Sequence, residues 1–453
     1  MNESKITKIT AIFSLILIII SGILFWQQGW LKKVSFLDNV LELSGDKISQ
    51  LSFWKTVPKL VGFDGERKYL LLFQNNLELR PSGGYLGVFG IIKVENAKIK
   101  SFEMHDTNMF DHFGTVQTEP PQPIKDYLKV TNWQMRDSNW SPDFPTAANQ
   151  VEYFYHLQGG QEEFDGIIGI NAILLEDLLK LTGPIYLTDF NKTFEAKDAL
   201  YQIEYEVEQG YAQRGINYGQ RKTALKVLIK EILGKITEKD IQDQVELKDL
   251  LLKELKQKNI VIFLKNIKDQ EMIAKLNWAG KIDKFYPYDY LMINEANLSA
   301  RKSNAFIKRS AEYQVDLTGD RPEVTLRIEY NHQGEQIDWF STDYQAYLRV
   351  YLPYGSVLKE SIGVSDQTES FSELGKTVFG NLIRVSTGQK KVIEFKYLLP
   401  ARLATQSEDY RILVQKQIGI ESLPFKLILK GANQKTYLKE KIIENDWEGV
   451  ISF

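Results

Sequence analysis

Three stretches of this chain gather side chains that could do chemistry on an anion. In the first, Tyr69-Leu-Leu-Leu-Phe-Gln-Asn-Asn-Leu-Glu-Leu-Arg80-Pro-Ser-Gly-Gly-Tyr85, an apolar run breaks into amides, a carboxylate and an arginine, then a turn. That order places Asn75, Asn76 and Arg80 at the carboxyl end of a strand, where open α/β sheets hold ligands. Gly83 and Gly84 would let backbone approach a ligand, and the Arg80 fork suits phosphate or carboxylate. The alternative is a tight turn whose Arg80 pairs with Glu78. In the second stretch, Trp133–Pro145, Arg136, Asp137, Asn139 and Asp143 lie among indoles just before a helix start. Helix N-termini and arginines both favour anions, and Asp137 with Asp143 would hold a hard cation such as Mg²⁺. Against this stands an Arg136–Asp137 ion pair with Asp143 as a helix cap. The third group is Arg214 with Arg221-Lys222, whose alternative is a solvated helix face.

Other chemistries find little support. The four histidines, His105, His112, His156 and His332, lack zinc-site spacing, and no Gly-x-Ser-x-Gly elbow, phosphate loop or dinucleotide fingerprint is present. The chain has no cysteine, which excludes disulfides and thiolate metal sites. Its formal charge of −3 carries no basic stripe, so nucleic acid is not an expected partner.

Positioning such groups requires elements, and periodicity predicts them. Tyr69–Phe73, Tyr85–Val94 and Ile99–Met104 read as a strand followed by a hairpin turning at Asn96-Ala97-Lys98. Asp106–Lys129 reads as a loop, Thr146–Leu157 as a helix, Asp165–Ile170 as a buried strand and Leu174–Thr182 as a helix stopped by Gly183-Pro184. Ala199–Leu233 and Ile241–Leu276 are helix-rich, with a strand at Asn259–Leu264. From Tyr313 onward, short strand-like runs replace helical spacing. The expected fold class is α/β: a mixed central sheet flanked by helices over 66–300, then a C-terminal β-sandwich of immunoglobulin-like type over 313–453.

Ahead of these, Ile9–Leu31 carries no charge, and its core Leu15-Ile-Leu-Ile-Ile-Ile20 is wholly apolar. Its length suits a bilayer-spanning helix, with Trp26 and Trp30 at interfacial depth and Lys32-Lys33 closing it. The expected organisation is a cytoplasmic tail (1–8), an anchor (9–31), a stalk (32–65) and an exported body, so the membrane is an expected partner. Lysines balance on the two sides, so charge does not set the orientation.

The runs LLLFQNNLELRPSGGYLG, WQMRDSNWSPDFPTAA, FDGIIGINAILLEDLLKLTGPI and YLMINEANLSARKSN resemble the bacterial family built on domain of unknown function 4012, as do YLRVYLPYGS and YRILVQKQIG in the tail. The order of elements is also distantly similar to the LytR-CpsA-Psr family, membrane-anchored enzymes that move glycopolymers from polyprenyl-pyrophosphate carriers onto peptidoglycan. In that resemblance Met104-His105-Asp106-Thr107 stands where the family has Pro-Arg-Asp-Thr, and Tyr218-Gly-Gln-Arg221-Lys222 where it has Arg-x-x-Arg-Gln. The family's metal carboxylates are replaced here by Asn75 or Asn76 and by Ser82-Gly83. The resemblance implies a polyprenyl-linked glycan or cell-wall polymer as ligand. Arg80, Arg136 and Arg221 would grip pyrophosphate with Asn139 and Lys222 beside them. Asp106, Asp137 or Asp143 would act as base or Mg²⁺ ligand. The other readings are a non-enzymatic envelope module that binds glycan or protein, and a surface phosphodiester hydrolase.

Overall fold

The computed structural model describes residues 58–112, 114–238, 241–403, 409–431 and 434–452. The predicted anchor and most of the stalk lie outside the described residues, among which no helix is long and apolar enough to cross a membrane. The fold is mixed α/β. The chain divides into two compact units, each assembled from separated segments. The first takes the chain up to Gln74 with Leu86–Thr115 and Glu152–Gly280; the second takes Asn75–Tyr85, Val116–Val151 and the chain from Lys281 onward.

In the first unit, β1 (Arg67–Arg80) up to Gln74, β2 (Gly83–Glu95) from Leu86, β3 (Lys98–Asp106), β4 (Gly166–Asn171) and β7 (Ile260–Leu264) form a sheet in the order β3-β2-β1-β4-β7. β1 and β4 are parallel, from Tyr69 opposite Gly166 to Gln74 opposite Asn171, while β4–β7 and β2–β3 are antiparallel. β4 and β7 are buried almost throughout, so both read as continuous apolar runs. The helices of this unit are α1 (Thr107–His112), the last turns of α2 (Phe144–Leu157) from Glu152 on, α3 (Ile173–Thr182), α4 (Ala199–Tyr205), α5 (Thr223–Glu238), α6 (Ile241–Lys256) and α7 (Ile267–Lys275). α5 and α6 meet the core through stripes four residues apart, Ala224-Leu228-Ile232-Ile236 and Leu247-Leu251-Leu255, the spacing that keeps side chains on one helix face. A short hairpin, β5 (Ile185–Leu187) with β6 (Lys192–Phe194), adds Ile185, Leu187 and Phe194 to that core.

The second unit holds two six-stranded sheets among the described residues. One is ordered β13 (Glu369–Glu373), β14 (Lys376–Val385), β11 (Tyr344–Pro353), β8 (Asp289–Asn297), β16 (Asp409–Val414), β19 (Trp447–Ser452). The other is ordered β12 (Val357–Ile362), β15 (Lys390–Leu398), β10 (Glu323–His332), β9 (Ile307–Asp316), β17 (Leu423–Lys430), β18 (Thr436–Ile443). Alternate residues of both sheets, such as Tyr313 and Val315, Leu326 and Ile328, Leu348 and Val350, and Leu427 and Leu429, share one core. Two strand pairs are parallel, β17 with β9 and β16 with β8.

Two local differences from the sequence reading have physical causes. β1 does not stop at Phe73 but continues through Gln-Asn-Asn-Leu-Glu-Leu to Arg80. Its polar residues stay extended because partners distant in sequence satisfy them; Asn304 Oδ1, for example, accepts the Leu79 N–H. The loop expected from Asp106 opens instead as helix α1. Asp106 Oδ1 accepts the Asn108 N–H there at 2.9 Å, the bond a helix cap supplies.

Candidate anion site

The residues singled out by sequence fall into two clusters, one in each unit. In the first unit the end of β3 supplies Asp106, and the turn before α5 supplies Arg221 and Lys222. All three are buried. Lys222 Nζ donates to Asp106 Oδ1 at 2.8 Å and also to the Gly87 carbonyl. Arg221 Nε lies 3.7 Å from Asp106 Oδ2, its Nη1 lies 3.7 Å from Glu208, and its guanidinium rests 4.4 Å from the Tyr218 ring centroid. Burial pushes the Lys222 ammonium down to about 8, with Asp106 opposing the shift. Its charge is therefore poised to change just above neutrality.

This cluster retains unused hydrogen-bonding capacity. Arg221 Nε, Asp106 Oδ2 and Thr107 Oγ1 are buried, and none has a hydrogen-bond partner. Native interiors rarely leave such groups unmatched unless a ligand or water completes them. Next to them, His105 stacks on Phe89 at 4.9 Å, and burial lowers its pKa. Arg214, grouped with Arg221 by sequence, is instead a bidentate partner of Glu206, at 2.9 and 3.1 Å.

In the second unit, Arg80 is 2% exposed and surrounded by acceptors. Its Nε and Nη2 donate to Asp137 Oδ1 at 3.3 and 3.0 Å, and Nη2 also reaches Glu78 at 3.0 Å. Nη1 donates to the Asn297 and Leu79 carbonyls at 2.8 and 3.4 Å. Five hydrogen bonds therefore match the five N–H groups of the guanidinium. Arg136 is half-buried, its Nε 3.7 Å from the second Asp137 oxygen. Asn139 Nδ2 donates to the Gly84 carbonyl at 2.8 Å, and Asn75 Oδ1 accepts the Leu77 N–H at 3.1 Å. Asn76 Oδ1 and Asn139 Oδ1 are buried with no hydrogen-bond partner. The glycine turn makes its close approach to the protein's own backbone, since a Cβ on Gly84 would lie 2.1 Å from the Asn75 carbonyl carbon.

Asp143 caps α2. Its Oδ2 accepts the Thr146 N–H and hydroxyl at 3.2 and 2.6 Å, and its Oδ1 accepts the Ile282 N–H at 2.9 Å. The two carboxylates nominated for Mg²⁺ therefore do not fit that ion. The oxygens of Asp143 are engaged by N–H and O–H donors, and those of Asp137 face guanidinium groups, which would repel a cation.

Sequence reasoning missed Thr107, Glu208 and Tyr218. Thr107 and Tyr218 stood inside the quoted motifs, beside Asp106 and Arg221, whereas nothing local marks Glu208 as a neighbour of Arg221.

Residues 64–207 match the model of a family described as Protein of unknown function (DUF4012), in line with the resemblance read from sequence. No curated protein matches significantly. Among solved structures the chain is similar to protein gbs0355 from Streptococcus agalactiae, at 11% identity over 49% of this chain and 76% of that one, TM-score 0.30. It is also similar to B. subtilis TagV, at 10% identity over 48% and 80% of the two chains, TM-score 0.27. Likeness at this level carries no functional argument.

Proposed function

We propose that this protein is an anchored envelope protein that binds, and transfers, a polyprenyl-(pyro)phosphate-linked glycan at the outer face of the membrane. The observation that carries the reading is the Asp106–Arg221–Lys222 cluster. Two segments 116 residues apart, each similar to a LytR-CpsA-Psr motif, meet at the Lys222–Asp106 contact with donor and acceptor capacity left over. In this reading the first unit is a LytR-CpsA-Psr-like domain and the second an immunoglobulin-like sandwich. Arg221 and the Lys222 ammonium hold the anionic linkage. An acceptor sugar hydroxyl attacks the phosphoryl group that bears the glycan and passes its proton to Asp106. Polyprenyl phosphate leaves, its charge stabilised by the two cations.

The test is titration of detergent-solubilised full-length protein with a short-chain polyprenyl pyrophosphate. Arg221→Ala and Lys222→Met should each lose roughly ten- to a hundredfold in affinity, the equivalent of about 1.5–3 kcal/mol. Wild-type affinity should fall as pH rises through about 8, where Lys222 gives up its charge. Two folded variants that bind as well as wild type would sink the proposal.

The non-enzymatic reading has one observation in its favour. Asp137 and Asp143 are committed to structural partners, and of the three nominated carboxylates Asp106 keeps a buried oxygen that accepts no hydrogen bond. Binding without turnover of a glycan donor would select that reading.

The exported topology rests on Ile9–Leu31. Protease added to intact spheroplasts is expected to degrade the body of the protein; protection lost only on lysis would reverse the orientation.

A further inference from the structure

A second cluster lies in the first unit, apart from the residues of the anion site. Glu152 and His156 stand one turn apart on α2, and Glu163 follows in the loop before β4. His156 Nε2 is 3.8 Å from Glu152 Oε1 and 3.8 Å from Glu163 Oε1. The three potential ligand atoms lie within 4.8 Å of one another. His156 Nδ1 is 3.1 Å from the Gly160 carbonyl. A carbonyl can only accept, so Nδ1 carries a proton, and in the neutral imidazole it is the Nε2 lone pair that faces both carboxylates, where a metal would take it. Metal-binding histidines are commonly fixed by this kind of outer contact.

The acidic partner inside the fold is also unusual. Glu152 is 7% exposed, so its carboxylate is held inside the fold. The cation beside it is Lys265, whose Nζ lies 2.7 Å from Glu152 Oε1 and 3.6 Å from Glu163 Oε2. Two carboxylates and one ammonium leave a net negative charge around the histidine. Lys265 is about one-third exposed and can swing into solvent. Metal bonds of about 2.1 Å set tetrahedral ligand atoms about 3.4 Å apart, so small rotations of Glu152 and Glu163 would close the site.

We propose that Glu152, His156 and Glu163 form a binding site for a divalent first-row metal ion, Zn²⁺ being the best match, with the Lys265 ammonium as the competing occupant. One imidazole and two carboxylates suit Zn²⁺ with water in the fourth position. The ammonium holds the carboxylates together when no metal is bound and leaves as the metal enters.

The experiment titrates untagged full-length protein with Zn²⁺ in a non-chelating buffer, read by calorimetry and by competition with a chromophoric chelator. One equivalent is expected to bind. His156→Ala should weaken binding at least tenfold. Glu163→Gln should do the same without disturbing the fold, because the Glu163 side chain is 79% exposed. Lys265→Met should tighten binding several-fold by removing the competitor. Absence of stoichiometric binding overturns the proposal, and so does a folded Glu163→Gln protein that binds as tightly as wild type. If Lys265→Met weakens binding, the competitor role is overturned with it.

Discussion

Arg80→Ala is expected to destabilise the second unit by about 3–5 kcal/mol, the cost of leaving buried charge without its partner. Truncation strands Asp137 and Glu78, both buried, together with the Asn297 carbonyl. For a unit of this size each kcal/mol moves the melting temperature by roughly 2–4 °C, so a drop of about 10 °C should appear in calorimetry or circular dichroism. Arg80→Lys should fall between, since an ammonium keeps the charge but cannot reproduce the fork to Asp137. The outcome also discriminates between the two sequence readings of Arg80. A ligand-binding arginine could be removed with little effect on melting, whereas an internal clamp could not. An Arg80→Ala protein melting within 2 °C of wild type would show that the network carries no load.

Asp289→Ala is expected to cost a comparable amount, about 3–5 kcal/mol, because three donors lose their acceptor. Asp289 is fully buried; its Oδ2 accepts the hydroxyls of Tyr313, at 2.9 Å, and of Tyr410, and its Oδ1 accepts the Tyr290 N–H at 2.7 Å. Tyr397 extends the chain by donating to the Tyr313 hydroxyl at 3.1 Å. Burial pushes the Asp289 carboxyl up to about 6, above the usual 3.8, against the pull of those tyrosines. Between these two values the folded state holds a proton that the unfolded state has released. The contribution of Asp289 to stability is therefore complete below pH ~4 and declines as pH rises through 6, by about 3 kcal/mol at most. Asp289→Asn removes that titration. Urea melts at pH 4.5 and 7 should show the stability gap between wild type and the asparagine variant moving against wild type as pH rises. A gap independent of pH would refute the assignment.

Much of the local structure was legible in the sequence. Helix Leu174–Thr182 and strand Asp165–Ile170 each lie within one residue of the observed elements. The β2–β3 turn was marked by Asn96-Ala97, both of which have positive φ. Less legible were strands whose polar residues are satisfied from afar. β8 (Asp-Tyr-Leu-Met-Ile-Asn-Glu-Ala-Asn) is buried at every position and sits in the sheet of the second unit, although it precedes the boundary expected near Tyr313. Its Glu295 accepts from Tyr330 and Tyr344, and its Asn294 donates to the Pro81 carbonyl. No window of local sequence contains such pairs. The candidate site divided in the same way. The family resemblance nominated Asp106 and the segment of Arg221 and Lys222 separately, but only the fold joins them. It also reveals that Arg80, equally conspicuous in sequence, is already saturated and that Asp143 is committed to capping α2.

The second unit closes over very long stretches of chain. Gln417 donates to the Arg80 carbonyl across 337 residues, and Ile412–Val414 of β16 lie alongside Asp289–Leu291 of β8. Contacts of such sequence separation form slowly, because a large loop must be ordered before they repay its entropy. The segment around Arg80 therefore waits for residues made more than three hundred positions later. Until they arrive, the apolar faces of β8 and β9 have no complete partner sheet. A nascent chain halted before β16 would expose unpaired strand edges, the condition under which chains aggregate or recruit chaperones.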